Sequence, residues 1–291
     1  MKPAPFEYHA PATAADAATL LTDLGEGAKV LAGGQSLVPM LALRLAVFDH
    51  LVDVGRIAEM QGVERRADAL WIGASTTQAD VGANPDVAAG VPLLARATPF
   101  IGHFQIRNRG TLGGSVAHAD PAGEYPAVAL TLDASMEVVS ANGRRTIAAR
   151  DFFRGFWTTS MQPDELLAGV TFPMWSGRCG FAVEEFARRH GDFAIAGAAI
   201  GVELDTDDRI RRGAIGLIGL GSTPERASAA EAAVVGRTIA EIDPEAVGAL
   251  AMSGLESVPS DLNGSASYRT RDGAAMVARA WTRACSEARD A

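Results

Sequence analysis

Two cysteines, Cys179 and Cys285, are all that the 291 residues contain. They lie far apart and give no disulfide framework, which fits a reducing, cytoplasmic setting. Two thiols also fall short of the four thiolates of a common iron–sulfur cluster, so this chain cannot hold one. Neither cysteine has an evident basic partner in the sequence, and no Ser-His-Asp or Cys-His order points to nucleophilic catalysis. Long apolar runs are missing as well. The most apolar stretch, FAIAGAAIGV, stops at Glu203 and is too short to span a bilayer. The first residues, MKPAPFEYHAP, lack the apolar centre of a secretory signal. Positive charge is in deficit, with 26 Lys and Arg against 35 Asp and Glu, a net charge of −9. Such a surface disfavours nucleic acid, because phosphate contacts need concentrated Lys and Arg. What is present is a soluble globular composition, 48% apolar and 21% charged, long enough for one large or two ordinary domains.

Local patterns set out the elements. Thr13 and Asp16 have capping-box spacing, and Ala17, Leu20, Leu21 and Leu24 form a helical stripe that Gly25 stops. A short strand, KVLA, runs into Gly33-Gly34, and Ser36 is placed to cap a helix LVPMLALRLA, with Pro39 in its first turn. HLVDVG and LWIGAS read as strands, and PLLARATPFIG as a helix. AVALTLDASMEVVSANGRRTIAARDFF reads as helix, strand, Asn142-Gly143 turn and strand. ELLAGVTFP closes this half. A turn-rich break at 174–180 follows. FAVEEFARR, FAIAGAAIGVEL and IRRGAIGLIGL are three strands, the last two a hairpin through DTDD. Ser228 with Glu231 caps a helix, Asp243-Pro244 opens another, and Val277, Ala280, Trp281, Ala284 and Ala288 mark a final one. The fold class is α+β.

Two stretches share a Gly-Gly-x motif, LAGGQSL at Leu31–Leu37 and TLGGSVAHADP at Thr111–Pro121. A glycine loop at a helix start offers free N–H donors to an anion, and two such loops can grip one pyrophosphate. Each alone reads equally as a strand-to-helix turn. Neither matches G-x-x-x-x-G-K-[ST] or G-x-G-x-x-G, which excludes a P-loop and a Rossmann dinucleotide site. GLIGLG at Gly216–Gly221 has the wrong order and reads as a packed strand.

LAGGQSLVPMLALRLA taken with IRNRGTLGGSVAHADPAGEYPA resembles the FAD-binding medium subunit of the molybdenum hydroxylases, the carbon monoxide dehydrogenase and xanthine dehydrogenase family. The likeness continues through ELLAGVTFP, FARRHGDFAIAGAA and SYRTRDGAAMVARA, so it covers essentially the whole chain. It implies a two-subdomain FAD-binding fold of the vanillyl-alcohol oxidase (PCMH) type over 1–177, with subdomains of about 1–57 and 58–177. An α+β C-terminal domain with a three-stranded antiparallel sheet and helices would follow over 178–291. By motif match, Ala32, Gly33, Gly34, Gln35 and Ser36, with Thr111, Gly113, Gly114 and Ser115, would hold the pyrophosphate. Leu37, Ile101 and Gly102 would line the groove. His118, Asp120 and Glu124 would make polar contacts to the cofactor, Leu167 would pack on it, and Phe193 would lie near the flavin ring.

The resemblance further implies molybdopterin in a large partner and 2Fe–2S clusters in a small one, with electrons passing through FAD here to an external acceptor. The assembly it implies is a dimer of heterotrimers, and peripheral membrane association through the acceptor stays open. No catalytic side chain is expected, since the flavin does the redox chemistry. Gln35 stands where the carbon monoxide enzyme has His, Ser115 and His118 replace asparagines, and Phe193 replaces Tyr; these departures favour a sister enzyme with another substrate. No metal site is expected: His118-x-Asp120 lacks further clustered ligands. On its residues alone, Glu124 reads equally as a solvated acid at a helix start. Arg107 and Arg109 read as phosphate contacts or as surface residues, and Arg188-Arg189-His190 as a strand end or subunit contact. A self-sufficient flavin oxidoreductase of the same fold, or a non-catalytic nucleotide-binding module, are the alternatives.

Overall fold

A computed structural model describes residues 2–291, and its strands fall into three main sheets and one small hairpin. The first sheet is parallel: β1 (Glu7–His9), β2 (Ala28–Leu31) and β3 (His50–Asp53), in the order β1-β3-β2. The helix Ala14–Leu24 links β1 to β2. The Thr13 hydroxyl accepts the Asp16 N–H at 3.0 Å, Ala17 and Leu21 are buried, and Gly25 ends the helix at φ 62°. The next helix is shorter than its sequence implies, running only Leu37–Ala42. Arg44 turns left-handed at φ 57°, and the Leu45 N–H donates back to the Met40 carbonyl at 2.9 Å, a Schellman-type stop. The side chains of Leu43, Leu45 and Val47 are exposed, so no buried apolar face extends the helix. Ser36 takes the N-cap position, but its hydroxyl makes no capping bond.

The second sheet is antiparallel. β4 (Val63–Arg66), β5 (Ala69–Gly73), β6 (Ser135–Ser140), β7 (Gly143–Ala148) and, beyond a small hairpin of β8 (Phe153–Gly155) and β9 (Thr158–Thr159), β10 (Leu166–Pro173) lie in the order β4-β5-β10-β6-β7. Residues between β5 and β6 form helices, among them Leu112–His118 and Glu124–Thr131.

Four residues, Met174–Gly177, lead to the third sheet: β11 (Arg178–Phe186), β12 (Ala196–Leu204), β13 (Ile210–Ile218) and β14 (Glu225–Arg226). It has four strands rather than the expected three, because a two-residue strand pairs Arg226 with Gly216 and Glu225 with Leu217. The expected Ser228/Glu231 cap does not form. Ala227 is the N-cap residue, and the Glu231 carboxylate instead accepts the Ile215 N–H and the Arg226 guanidinium, fastening β14 in place. Asp243 does cap the Pro244–Ser253 helix, accepting the Glu245 N–H at 3.1 Å.

The last helix, Ala266–Asp290, lies across β11 and β12 and buries Val277, Ala280, Trp281, Ala284 and Ala288, the expected stripe. The approach is close: a Cβ at Gly180 would stand 1.9 Å from the Ala284 carbonyl oxygen. All nine residues of β12 are buried, and the strand is rich in Ala and Gly because layers press on both of its faces. One core gathers the first two sheets and also takes in Phe181, Val183 and Ala199 of the third. A second core lies between the third sheet and its helices.

Candidate functional site

The two glycine loops, far apart in sequence, touch. Ala32–Ser36 follows β2, and Thr111–Ser115 opens the Leu112–His118 helix. A Cβ at Gly33 would lie 2.2 Å from the Arg109 carbonyl oxygen and 2.6 Å from Gly110 Cα. A Cβ at Gly114 would lie 2.8 Å from Thr111 Oγ1 and 3.4 Å from the Ala32 methyl. Gly34 is left-handed at φ 73°. Gly33 thus serves first to bring backbone against backbone. Gly113 likewise sits against Ala74, with 2.3 Å between an added Cβ and that methyl.

The loops differ in what they offer. The N–H groups of Gly33, Gly34, Gln35 and Ser36 donate to no acceptor among the described residues, and the Gln35 side-chain amide folds back to donate to the Gly33 carbonyl at 3.1 Å. In the second loop the donors from Leu112 to Ser115 are all engaged. Leu112 N–H donates to Thr76 O, Gly113 N–H to Ala74 O, Gly114 N–H to the Thr111 hydroxyl and Ser115 N–H to Thr111 O. A full run of free donors is therefore offered by the first loop only, because Thr111 and the residues just after β5 take up those of Leu112 to Ser115. A run of free N–H groups beside a helix start is a ready anion cradle. Its donor chemistry fits a pyrophosphate.

Around the cradle, His118 stacks on Trp157, with ring centroids 5.7 Å apart and planes at 16°. The Trp157 indole N–H donates to Asp120 Oδ2 at 3.1 Å, while Asp120 Oδ1 accepts the Ala122 N–H. Burial pushes the His118 ring below its ordinary pKa, Asp120 opposes this, and Lys29 adds to it. Trp157 escaped the sequence reading: it is exposed and left-handed at φ 51°, a conformation a bulky residue holds only under constraint, and nothing in the sequence signals that. Arg107 Nη1 donates to the carbonyls of Ile101 (2.8 Å) and Gly102 (3.0 Å), fixing that turn, and Arg109 contributes its carbonyl to the Gly33 contact. Ile101 and Leu167 belong to the core, and Leu37 is half-buried at the helix start. From beyond the Met174–Gly177 link, Gly191 packs on His103, and the His103 and His190 rings lie 6.2 Å apart. Phe193, two residues on, is 65% exposed.

Glu124 is buried, not solvated, and burial pushes its carboxyl well above the usual range, with Asp120 adding to the shift. Glu185 on β11 is pushed up too, by burial and then by Glu124, and its Oε2 has no partner among the described residues. Burial also raises both thiols, Cys179 to about 11 and Cys285 to about 12, so neither is a nucleophile at neutral pH. For Glu185, the folded state holds a proton that the unfolded chain has released once pH exceeds the ordinary carboxylate range. Stability therefore falls as pH rises through the raised folded value. The Glu185→Gln variant is expected to gain Tm over the wild type as pH rises from about 5 to 9; a pH-independent difference would contradict this.

Comparison with known proteins gives the lineage. The family model "FAD binding domain in molybdopterin dehydrogenase" matches residues 4–175, and "CO dehydrogenase flavoprotein C-terminal domain" matches 181–284. The chain belongs to the FAD subunits of the molybdenum hydroxylases. Among curated relatives of this FAD subunit, a 6-hydroxypseudooxynicotine dehydrogenase complex subunit alpha from Paenarthrobacter nicotinovorans is 39% identical, over 99% of this chain and 97% of its own. The carbon monoxide dehydrogenase medium chain of Hydrogenophaga pseudoflava is 36% identical over 96% of this chain and 97% of its own. A solved carbon monoxide dehydrogenase structure from Hydrogenophaga pseudoflava superposes with a TM-score of 0.95 at 38% identity, covering 99% of each chain. That of quinoline 2-oxidoreductase from Pseudomonas putida 86 gives 0.93 at 35%, covering 99% of each. The FAD subunit is thus a component of an oxidoreductase, and no helix among the described residues is long and apolar enough to cross a membrane.

Proposed function

We propose that this chain is the electron-transfer flavoprotein of a heterotrimeric molybdenum hydroxylase. Bound FAD supplies the redox chemistry, connecting 2Fe–2S clusters of a small partner to an external acceptor while molybdopterin works in a large one. The observation that carries the reading is the run of four unengaged N–H groups from Gly33 to Ser36, lying in contact with the second glycine loop. In this reading Ala32–Ser36 cradle the pyrophosphate. Thr111–Ser115 contribute shape and the Ser115 hydroxyl rather than backbone donors. Leu37, Ile101 and Gly102 shape the groove, and Arg107 keeps the Ile101-Gly102 turn in place. His118, Asp120 and buried Glu124 provide the polar wall, with the Leu167 side chain behind it. Phe193 reaches over from the C-terminal domain toward the ring. The FAD-binding domain ends near 177, with its two subdomains meeting near 57, and 178–291 forms the second domain. The partners form two heterotrimers around a dimer axis, in the cytoplasm.

The chain expressed alone is expected to be yellow, with a flavin absorption band that bleaches on dithionite. Catalytic oxidation of an organic substrate is expected only after the large and small partners are added, followed by acceptor reduction. A colourless chain would remove the FAD reading, and substrate turnover by the lone chain would replace the subunit reading with a self-sufficient oxidoreductase.

A further inference from the structure

Two of the five histidines, His9 and His50, meet on the edge strand β1 and the central strand β3 of the first sheet, outside the glycine loops. β1 and β3 run parallel with Glu7 opposite His50. Paired residues share a face, and so do residues two apart on one strand, so Glu7, His9 and His50 all project from the same side. His9 Nε2 lies 3.3 Å from His50 Nδ1, and Glu7 Oε2 lies 3.5 Å from the same His50 Nδ1. All three ligand atoms fall within 4.8 Å of one another.

We propose that Glu7, His9 and His50 form a binding site for a divalent transition metal of the zinc class. The first argument is geometric. A tetrahedral ion with ligands at 2.0–2.1 Å sets neighbouring ligand atoms about 3.3–3.4 Å apart. The two distances to His50 Nδ1 are those of adjacent corners. The second is chemical. His50 Nδ1 faces an imidazole nitrogen and a carboxylate oxygen at once, and as a donor it has one proton to give, while as an acceptor it confronts the negative oxygen. A cation among the three satisfies each lone pair. The third is the donor set: two imidazoles and one carboxylate suit Zn²⁺ and its neighbours, whereas Mg²⁺ and Ca²⁺ take oxygen ligands. The site is open, with the Glu7 side chain 75% and the His50 side chain 23% exposed, so an ion enters freely and a fourth position is left for water. Its structural effect is to pin the three-residue edge strand β1 to the central strand of the sheet whose other edge, β2, leads into the first glycine loop.

The test is titration of the full 291-residue chain, FAD-loaded and without added histidines, using Co²⁺ alone and then Zn²⁺. One equivalent of Co²⁺ is expected, with the intense visible bands of a tetrahedral site, displaced by Zn²⁺. Loss of a supporting hydrogen bond to a ligand already costs about 10–100-fold in metal affinity, so His9→Ala or His50→Ala should weaken binding by about 100-fold or more. Zn²⁺ should raise the Tm of the wild type and leave that of His9→Ala unmoved, with flavin content unchanged in the variant. Should His50→Ala fail to fold, His9→Gln and Glu7→Gln on the edge strand carry the same comparison. No stoichiometric Co²⁺ uptake by the wild type, or equal affinity in the edge-strand variants, overturns the site and leaves a hydrogen-bonded trio.

Discussion

Gly33→Val is expected to strip FAD from the chain. The added Cβ would meet the Arg109 carbonyl oxygen at 2.2 Å and the Gly110 Cα at 2.6 Å, and both are backbone atoms that no rotamer change can move. The two loops must part, and with them the four N–H groups that face the pyrophosphate in the proposed site. Losing one or two charge-assisted contacts, at roughly 1.5–3 kcal/mol each, weakens binding by about tenfold to about twenty-thousandfold. The comparison is flavin occupancy and the Kd from fluorescence titration, in Gly33→Val beside Gly62→Ala. Gly62 has open space at its Cβ, is left-handed at φ 94° and lies outside both loops, so it reports what backbone strain alone costs. Equal flavin affinity in the two variants would remove the loop contact from the FAD site.

Arg269→Ala should cost the most in stability. The residue is 4% exposed, and its guanidinium donates to both Asp261 carboxylate oxygens at 2.8 and 2.7 Å and to the Ile195 and Gly219 carbonyls. One side chain on the long helix therefore fastens the 261–264 turn, the start of β12 and the end of β13. Truncation leaves the buried Ile195 and Gly219 carbonyls without this donor, at about 1–3 kcal/mol for each group left unsatisfied, while the half-exposed Asp261 carboxylate turns to water. Asp261, held below the usual carboxylate range chiefly by its hydrogen bond from Arg269, should return toward that range. Thermal unfolding checks the first expectation and an NMR titration of Asp261 the second. A loss below about 1 kcal/mol would mean that water replaces the guanidinium.

The sequence was informative wherever a signal was local. Thr13/Asp16, Asp243-Pro244, the Asn142-Gly143 hairpin and the Val277–Ala288 stripe all act within one element, and each is realised. It failed where the partner lay elsewhere. Ser36 and Ser228 stand at helix starts without capping, and the LRLA residues found no apolar surface to hold them helical. Both glycine loops were visible as motifs, but the reason for Gly33, the backbone of Arg109 and Gly110, was not. Arg107 read as a phosphate contact or a surface residue, and its bonds to the Ile101 and Gly102 carbonyls, made across a turn, had no signal in the sequence. Trp157 carried no signal at all. The Glu7-His9-His50 trio was hidden for a related reason, since a parallel strand pairing brings together residues 41 apart.

The sharing of β11 and β12 between two cores bears on how the chain divides. Phe181, Val183 and Ala199 belong to the interior of the preceding part, although they follow the Met174–Gly177 link. Cleavage at that link would leave the FAD-binding fragment with an uncovered apolar wall and the C-terminal fragment with the matching one. The two family matches meet near that link, yet the shared core makes the whole chain the expected unit of cooperative unfolding. A protease that nicks the link should leave the halves bound to each other, and they should melt together in a single transition.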